Sequence, residues 1–216
     1  MPLEPDDWNV VIVGRWNRAI LTPQGIASRL LQLPPETEIG VEVPMDAIGP
    51  YRVSHGDLVI MVSGVQLIVE ARENNFPSLQ RAMRIAHRAM QSLPETPVFA
   101  AGFNIRCQGS EEDDLLAPLI AATELRWDQQ FVRAGYPISR RDITWVADWQ
   151  DGRISVNLVR DQHDRALRLN LNFERPGNRD ELMAWVARPV EEVRVQARRI
   201  FTDVLNLQME AVEWSR

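Results

Sequence analysis

Apolar and polar positions along the chain recur with a period of two in some stretches and near 3.6 in others, so the pattern predicts both strands and helices. Val10, Val11, Ile12 and Val13 form an apolar run that reads as a strand continuing towards Ile20. Thr22-Pro23 then sets an N-cap residue before a proline at the first helical position. The short helix it opens carries Ile26, Leu30 and Leu31 and is expected to stop at Pro34-Pro35. Strands are predicted over 39–43, 51–53, 58–62 and 67–71, with turns at His55-Gly56-Asp57 and Ser63-Gly64. The clearest helix spans 78–93. Leu79, Ala82, Met83, Ala86, Met90 and Leu93 make one stripe, and Arg81, Arg84 and Arg88 lie on the opposite side. Pro94 ends it. Over 99–107 the alternation returns. Phe99, Ala101, Phe103, Ile105 and Cys107 share one face, and Asn104 and Arg106 the other.

The acidic stretch 108–114 is the best internal boundary, dividing the chain into α+β halves at 1–110 and 111–216, or marking a loop within one continuous domain. Asp113 or Asp114 is suited to cap a helix carrying Leu116, Ile120, Trp127 and Phe131 that ends near Gly135. Strands follow over 143–149, 153–160 and 166–174, the first two joined at Asp151-Gly152. A last helix restarts at Pro189. Its stripe is Val190, Val193, Ala197, Ile200, Val204 and Leu207, with Arg194 and Arg198 facing outward. The fold class is therefore α+β, a mainly antiparallel sheet with packing helices, in which three strands leading into a helix occur twice.

Composition narrows the chemistry. All the basic residues other than histidine are arginine; there is no lysine. Schiff-base chemistry, pyridoxal phosphate attachment and the lysine-bearing phosphate loop are thereby excluded. The single cysteine rules out an internal disulfide and cysteine-rich zinc sites. A net charge of −6 opposes non-specific duplex binding, which needs basic surface, although a localised arginine patch escapes that argument. No apolar run is long enough to span a bilayer, and the acidic start lacks the features of a signal peptide. Cytoplasmic residence is the expectation.

Candidate chemistry is sparse. Asp161, His163 and Asp164 supply divalent-metal donor types, but their place at a hairpin tip between Arg160 and Arg165 equally describes a solvated turn. His87 lies at the edge of a helical stripe with no carboxylate nearby in sequence to orient it as a base. His55 belongs to a turn. Cys107 follows a cation but alternates into the core. The run Glu111 to Asp114 suits a linker and a helix N-terminus. The most informative surface is a strand face. Arg168, Asn170, Asn172 and Glu174 oppose Leu167, Leu169, Leu171 and Phe173, while Ser155 and Asn157 oppose Ile154, Val156 and Leu158. Asn104 and Arg106 extend the pattern. Asparagine is a poor strand former, so several on one face ask for a ligand, a partner or a side-chain ladder. Trp145 and Trp149 share a face with Ile143 and Ala147 and are expected in the core; Trp8 and Trp214, near the chain ends, either anchor a partner or fold back.

The stretches Gly14-Arg15-Trp16-Asn17-Arg18-Ala19-Ile20-Leu21-Thr22-Pro23 and Leu93-Pro94-Glu95-Thr96-Pro97-Val98-Phe99-Ala100-Ala101-Gly102-Phe103-Asn104 resemble a sporadically distributed family of bacterial proteins with no assigned activity. The resemblance covers the first half of the chain. It implies association with mobile elements, phage or defence islands, and so a subunit of a larger assembly; it transfers no catalytic residue.

These readings favour a non-enzymatic binding or assembly subunit, with no cofactor, that meets a protein partner or a second copy of itself. Its candidate contacts are Asn104, Arg106, Asn157, Arg168, Asn170 and Asn172 on the sheet and Arg81, Arg84 and Arg88 as a polar rim. The strands over 58–62 and 67–69 are apolar on both faces, which calls for cover on both sides and motivates the oligomer, the alternative being an extended monomer whose own helices supply that cover. Two rival readings remain: a metal-dependent, phosphate-directed hydrolase built on Asp161, His163 and Asp164, and a nucleic-acid binder using the outward arginines.

Overall fold

The structure is a computed structural model that describes residues 3–44, 49–124, 128–163, 165–208 and 212. β1 (Leu3–Gly14) is followed by a short α1 (Pro23–Gly25) that widens into a π-helical stretch over Ile26–Leu31. Next come β2 (Gly40–Glu42), β3 (Arg52–His55), β4 (Leu58–Val62), β5 (Gln66–Ala71), α2 (Phe76–Ser92) and β6 (Val98–Ser110). A 3-10 turn (Asp114–Leu116) leads into α3 (Ala117–Thr123), then α4 (Asp128–Arg133). The chain continues through β7 (Arg140–Trp149), β8 (Gly152–Asp161), β9 (Ala166–Pro176), α5 (Arg179–Ala187) and α6 (Val190–Arg199), which passes into a π-helical turn over Ile200–Val204.

The fold is α+β. Its strands form one antiparallel sheet in the order β2-β3-β4-β5-β1-β6-β9-β8-β7. Outward from the central β1–β6 pair lie β5, β4 and β3 on one side and β9, β8 and β7 on the other, and each set leads into a helix, α2 or α5. The alternation in β1 shows why one face is covered: Trp8, Val10 and Ile12 are buried towards the helices, and Asn9, Val11 and Val13 point the other way. Leu79, Ala82, Met83, Ala86 and Met90 of α2 are all buried, as the stripe predicts. Asn75 caps that helix by accepting from the Ser78 amide at 2.8 Å, and Thr22 caps α1 by accepting from the Gly25 amide at 3.1 Å. Asn178 and Glu181 form a reciprocal capping box on α5. The adjacent Arg179 donates to the carbonyls of Met90, Leu93 and Thr96, satisfying the C-terminal end of α2 and tying α5 to it. Trp8 folds back, fully buried and edge-on to Phe76 at 4.9 Å. Trp149, Phe173, Phe103 and Trp185 form a second aromatic cluster, closed by the Arg188 guanidinium 3.6 Å above Trp185.

Several expectations are corrected. Phe99 is 50% exposed, because the β1–β6 register shifts at Val13/Gly14, and the extra residue brings Val98 into the core instead. Val204 is 69% exposed while Phe201 and Leu205 are buried. The π-helical turn inserts a residue into the helical period and rotates Val204 outward. The single helix expected over 115–131 is broken, since Glu124 adopts an extended conformation after α3, and Phe131 in α4 is exposed. Trp127, on that predicted stripe, lies outside the described residues, as does Trp214. Trp145 is 42% exposed, because β7 is an edge strand that the helices cover only in part. The apolar run in β4 needs no second chain: Val59, on the face away from the helices, is fully buried, and the Arg52–Glu70 ion pair crosses β4 beside it.

Two outcomes follow for stability. Ile200→Ala is expected to cost about 2–4 kcal/mol and Val204→Ser less than about 0.5 kcal/mol in chemical denaturation, the reverse of equal membership in one stripe. Burial pushes the Asp57 carboxyl up, but hydrogen bonds from Arg81 and Ser78 outweigh it and hold the group below its ordinary value. The contribution is full above the unfolded carboxylate value and is lost as pH falls through the folded one. Asp57→Asn should therefore lower stability by about 1 kcal/mol at neutral pH, discounted for partial exposure, and flatten the acid limb of a stability–pH curve.

Candidate functional site

Because α2, α3 and α5 all pack on one side, the other face of the sheet carries no helix among the described residues. The position of α3 follows from its neighbours: Arg160 and Arg141, which share the inward parity of Leu158 and Ile143, meet Glu111 and Asp128 at 2.7 and 2.8 Å. On the open face, strand register builds rows. Glu70, Asn9, Asn104, Asn172 and Ser155 stand side by side on β5, β1, β6, β9 and β8. A second row runs Arg106, Asn170, Asn157 and Thr144. The pattern read from β6, β8 and β9 thus comes together in three dimensions, and Asn104, Arg106, Asn157, Arg168, Asn170 and Asn172 occupy one surface.

Parts of both rows are hydrogen bonded. The Asn104 amide donates to Asn9 Oδ1 at 2.8 Å, and Asn9 donates to Asp7 Oδ1 at 3.2 Å. Asn157 donates to Asp142 Oδ1 at 2.6 Å and to Thr144 Oγ1 at 2.9 Å. Asn170 Oδ1, between Arg106 and Asn157, is buried without a donor. An acceptor in that state costs about 1–3 kcal/mol unless something supplies an N–H or O–H. Arginines of this face are matched to carboxylates: Arg106 with Asp7, Arg52 with Glu70 at 2.9 Å, and Arg153 with Glu174 at 2.7 Å. Gly102 sits among them because a Cβ there would meet the Phe173 carbonyl oxygen at 2.8 Å.

Asn9, Asp7 and Glu70 were not singled out in the sequence. The signal for Asn9 is its place in the alternation of β1. Asp7 is legible only from the bulge, where the β1–β6 register slips between Asp6 and Asn9 and Asp7 takes φ +46°. The bulge is fixed from both sides: the Trp8 amide donates to Asn74 Oδ1 at 2.7 Å, and its indole donates to the Arg106 carbonyl at 2.9 Å. Beside it opens a polar cavity of about 390 Å³ lined by Asp6, Asp7, Arg52, Met61, Glu70 and Arg72, among others.

The remaining candidates are placed elsewhere. Arg81 is engaged by Asp57 and Ser78, and Arg88 donates to the Leu30 carbonyl at 2.6 Å. These two are internal clamps rather than a free rim; Arg84 is exposed. With His87 it lines a cavity of about 250 Å³ between α2 and α5 that has no carboxylate in its lining to orient the imidazole. His55 is half-buried at the end of β3. Asp161 accepts from the backbone amide of His163 at 2.9 Å, as a turn residue does, and Asp164 lies outside the described residues. Among the described residues no group of three His, Cys, Asp or Glu side chains is placed to hold a metal ion. Burial pushes the Cys107 thiol well above its ordinary pKa. The two stretches that carry the family resemblance meet at one end of the sheet: the Arg15 amide donates to the Pro97 carbonyl at 2.8 Å, beside a cavity of about 310 Å³. No family model and no curated protein matches the chain. No helix among the described residues is long and apolar enough to cross a membrane.

The Asn9–Asn104 link yields a direct check. Asn104→Asp removes the donor that Asn9 Oδ1 accepts and adds a charge at a position 9% exposed. It is expected to cost about 2 kcal/mol or more at neutral pH in urea unfolding, with partial recovery in acid as the new carboxyl is protonated.

Proposed function

We propose that this protein is a binding or assembly subunit that holds a protein partner on the open face of its sheet. The observation that carries the reading is the pairing of charge on that face. Arg106, Arg52 and Arg153 are each matched to a carboxylate of the chain itself, so amide and hydroxyl groups make up much of what the middle of the surface offers outward. Side-chain amides carry both donor and acceptor and suit the mixed groups of a protein surface.

The same pairing weighs against nucleic acid. Affinity for a phosphate backbone comes from arginines and lysines that displace counterions. Here Arg52, Arg106, Arg140, Arg153 and Arg168 are outnumbered by Asp6, Asp7, Glu42, Glu70, Asp142, Asp148, Asp161 and Glu174 on or beside the face. A polyanion would meet net negative charge.

The test is site-specific cross-linking in the cells that make the protein. A photoreactive phenylalanine analogue at position 155 or 168, on the open face, is expected to give discrete protein adducts; the same group at position 84, on the helix side, is expected to give none. Equal capture from position 84, or retention of the purified protein on duplex DNA that falls with salt, would reject the reading.

A further inference from the structure

The two edges of the sheet are unequal. β2 is three residues long, whereas β7 is ten residues long and pairs with β8 without a register break from Arg140 to Trp149. An exposed edge presents a line of unpaired backbone N–H and C=O groups, and proteins blunt such edges with proline, lysine, bulges or brevity. β7 has no proline and no bulge, and its charges, Arg140, Arg141, Asp142 and Asp148, lie towards its two ends and leave Ile143 to Ala147 uncharged. It is also where exposed apolar side chains collect. Trp145 and Val146 lie on it, and Phe131, Val132 and Tyr136 are exposed in and just after α4, which the Arg141–Asp128 ion pair ties to the start of β7. Exposed apolar surface gathered along an unprotected edge marks an interface.

We infer that β7 pairs antiparallel with β7 of a second copy, joining two sheets about a two-fold axis. The occupant follows from the strand's own sequence. Opposed residues must share a face, which restricts the registers available. In the register that sets Thr144 on the axis, opposite its own copy, Arg140 stands opposite the second copy's Asp148, and this charge pair occurs twice by symmetry. On the helix side the same register brings Ile143 opposite the second copy's Trp145, also twice. The register one step further along sets Asp142 against Asp148 and is disfavoured by like charge. An isologous strand pair of this kind closes on itself and leaves β7 no free edge. It leaves both open faces uncovered, so it stands independently of what those faces bind.

The inference is tested by sedimentation or light scattering on the full chain with charge-reversed variants. The wild type is expected to be a dimer. Arg140→Asp and Asp148→Arg should each raise the dimer dissociation constant at least about tenfold, since each sets like charges opposite one another twice. The double variant R140D/D148R should return to within about threefold of wild type, and an equimolar mixture of the two single variants should form a heterodimer. Both side chains are exposed, so unchanged thermal unfolding of each variant serves as the control for folding. A monomeric wild type at high concentration, or a dimer insensitive to both single reversals, would overturn the proposal.

Discussion

Everything in this molecule depends on the antiparallel pairing of β1 with β6. Among the described residues it is the only junction within the sheet between β2–β5 and β7–β9. It joins residues that lie 95 positions apart where Asn9 meets Asn104. Ordering so long a loop is entropically costly, and the return comes from strand hydrogen bonds together with the apolar residues that the pair places under α2 and α5. The bulge at Asp7 sharpens this pairing. A one-residue slip would carry Trp8 out of the core and Asn9 into it, and the contacts of Trp8 to Asn74 and Arg106 are lost in any other register.

Much of the fold was legible because local periodicity and tertiary burial agree. The stripe of α2, the alternation of β8 and β9 and the cap at Thr22 are local signals that the core reinforces. The failures share a cause. Phe99, Val204 and Phe131 each lie at or beyond an interruption of regular geometry: a bulge, a π-helical turn, a break between helices. Counting positions assumes a constant period, and one inserted residue inverts every inference beyond it. Trp145 failed differently. Its face was assigned correctly, but exposure at an edge depends on where the helical layer ends, which no single strand encodes.

The candidate surface was half legible. Alternation located Asn104, Asn157, Asn170 and Asn172 on their strands, and register then brought them side by side. That a single surface results required the sheet to be continuous from β1 through β8, a fact of topology. The arginines illustrate the limit more sharply. Arg81, Arg88 and Arg106 look outward by position, yet each reaches a partner remote in sequence: Asp57, the Leu30 carbonyl and Asp7. A long, multivalent guanidinium finds such partners readily, so helical or strand phase alone does not show whether an arginine is offered to a ligand or committed to the fold.

Cys107 has a consequence for the environments the protein can tolerate. Its thiol is buried beneath the helical layer and its thiolate is strongly disfavoured, while the chain holds no second sulfhydryl with which to exchange. The reactive species in oxidation is the thiolate, and here it is both scarce and inaccessible. A shift between reducing and oxidising surroundings therefore neither adds a disulfide to the described fold nor removes one.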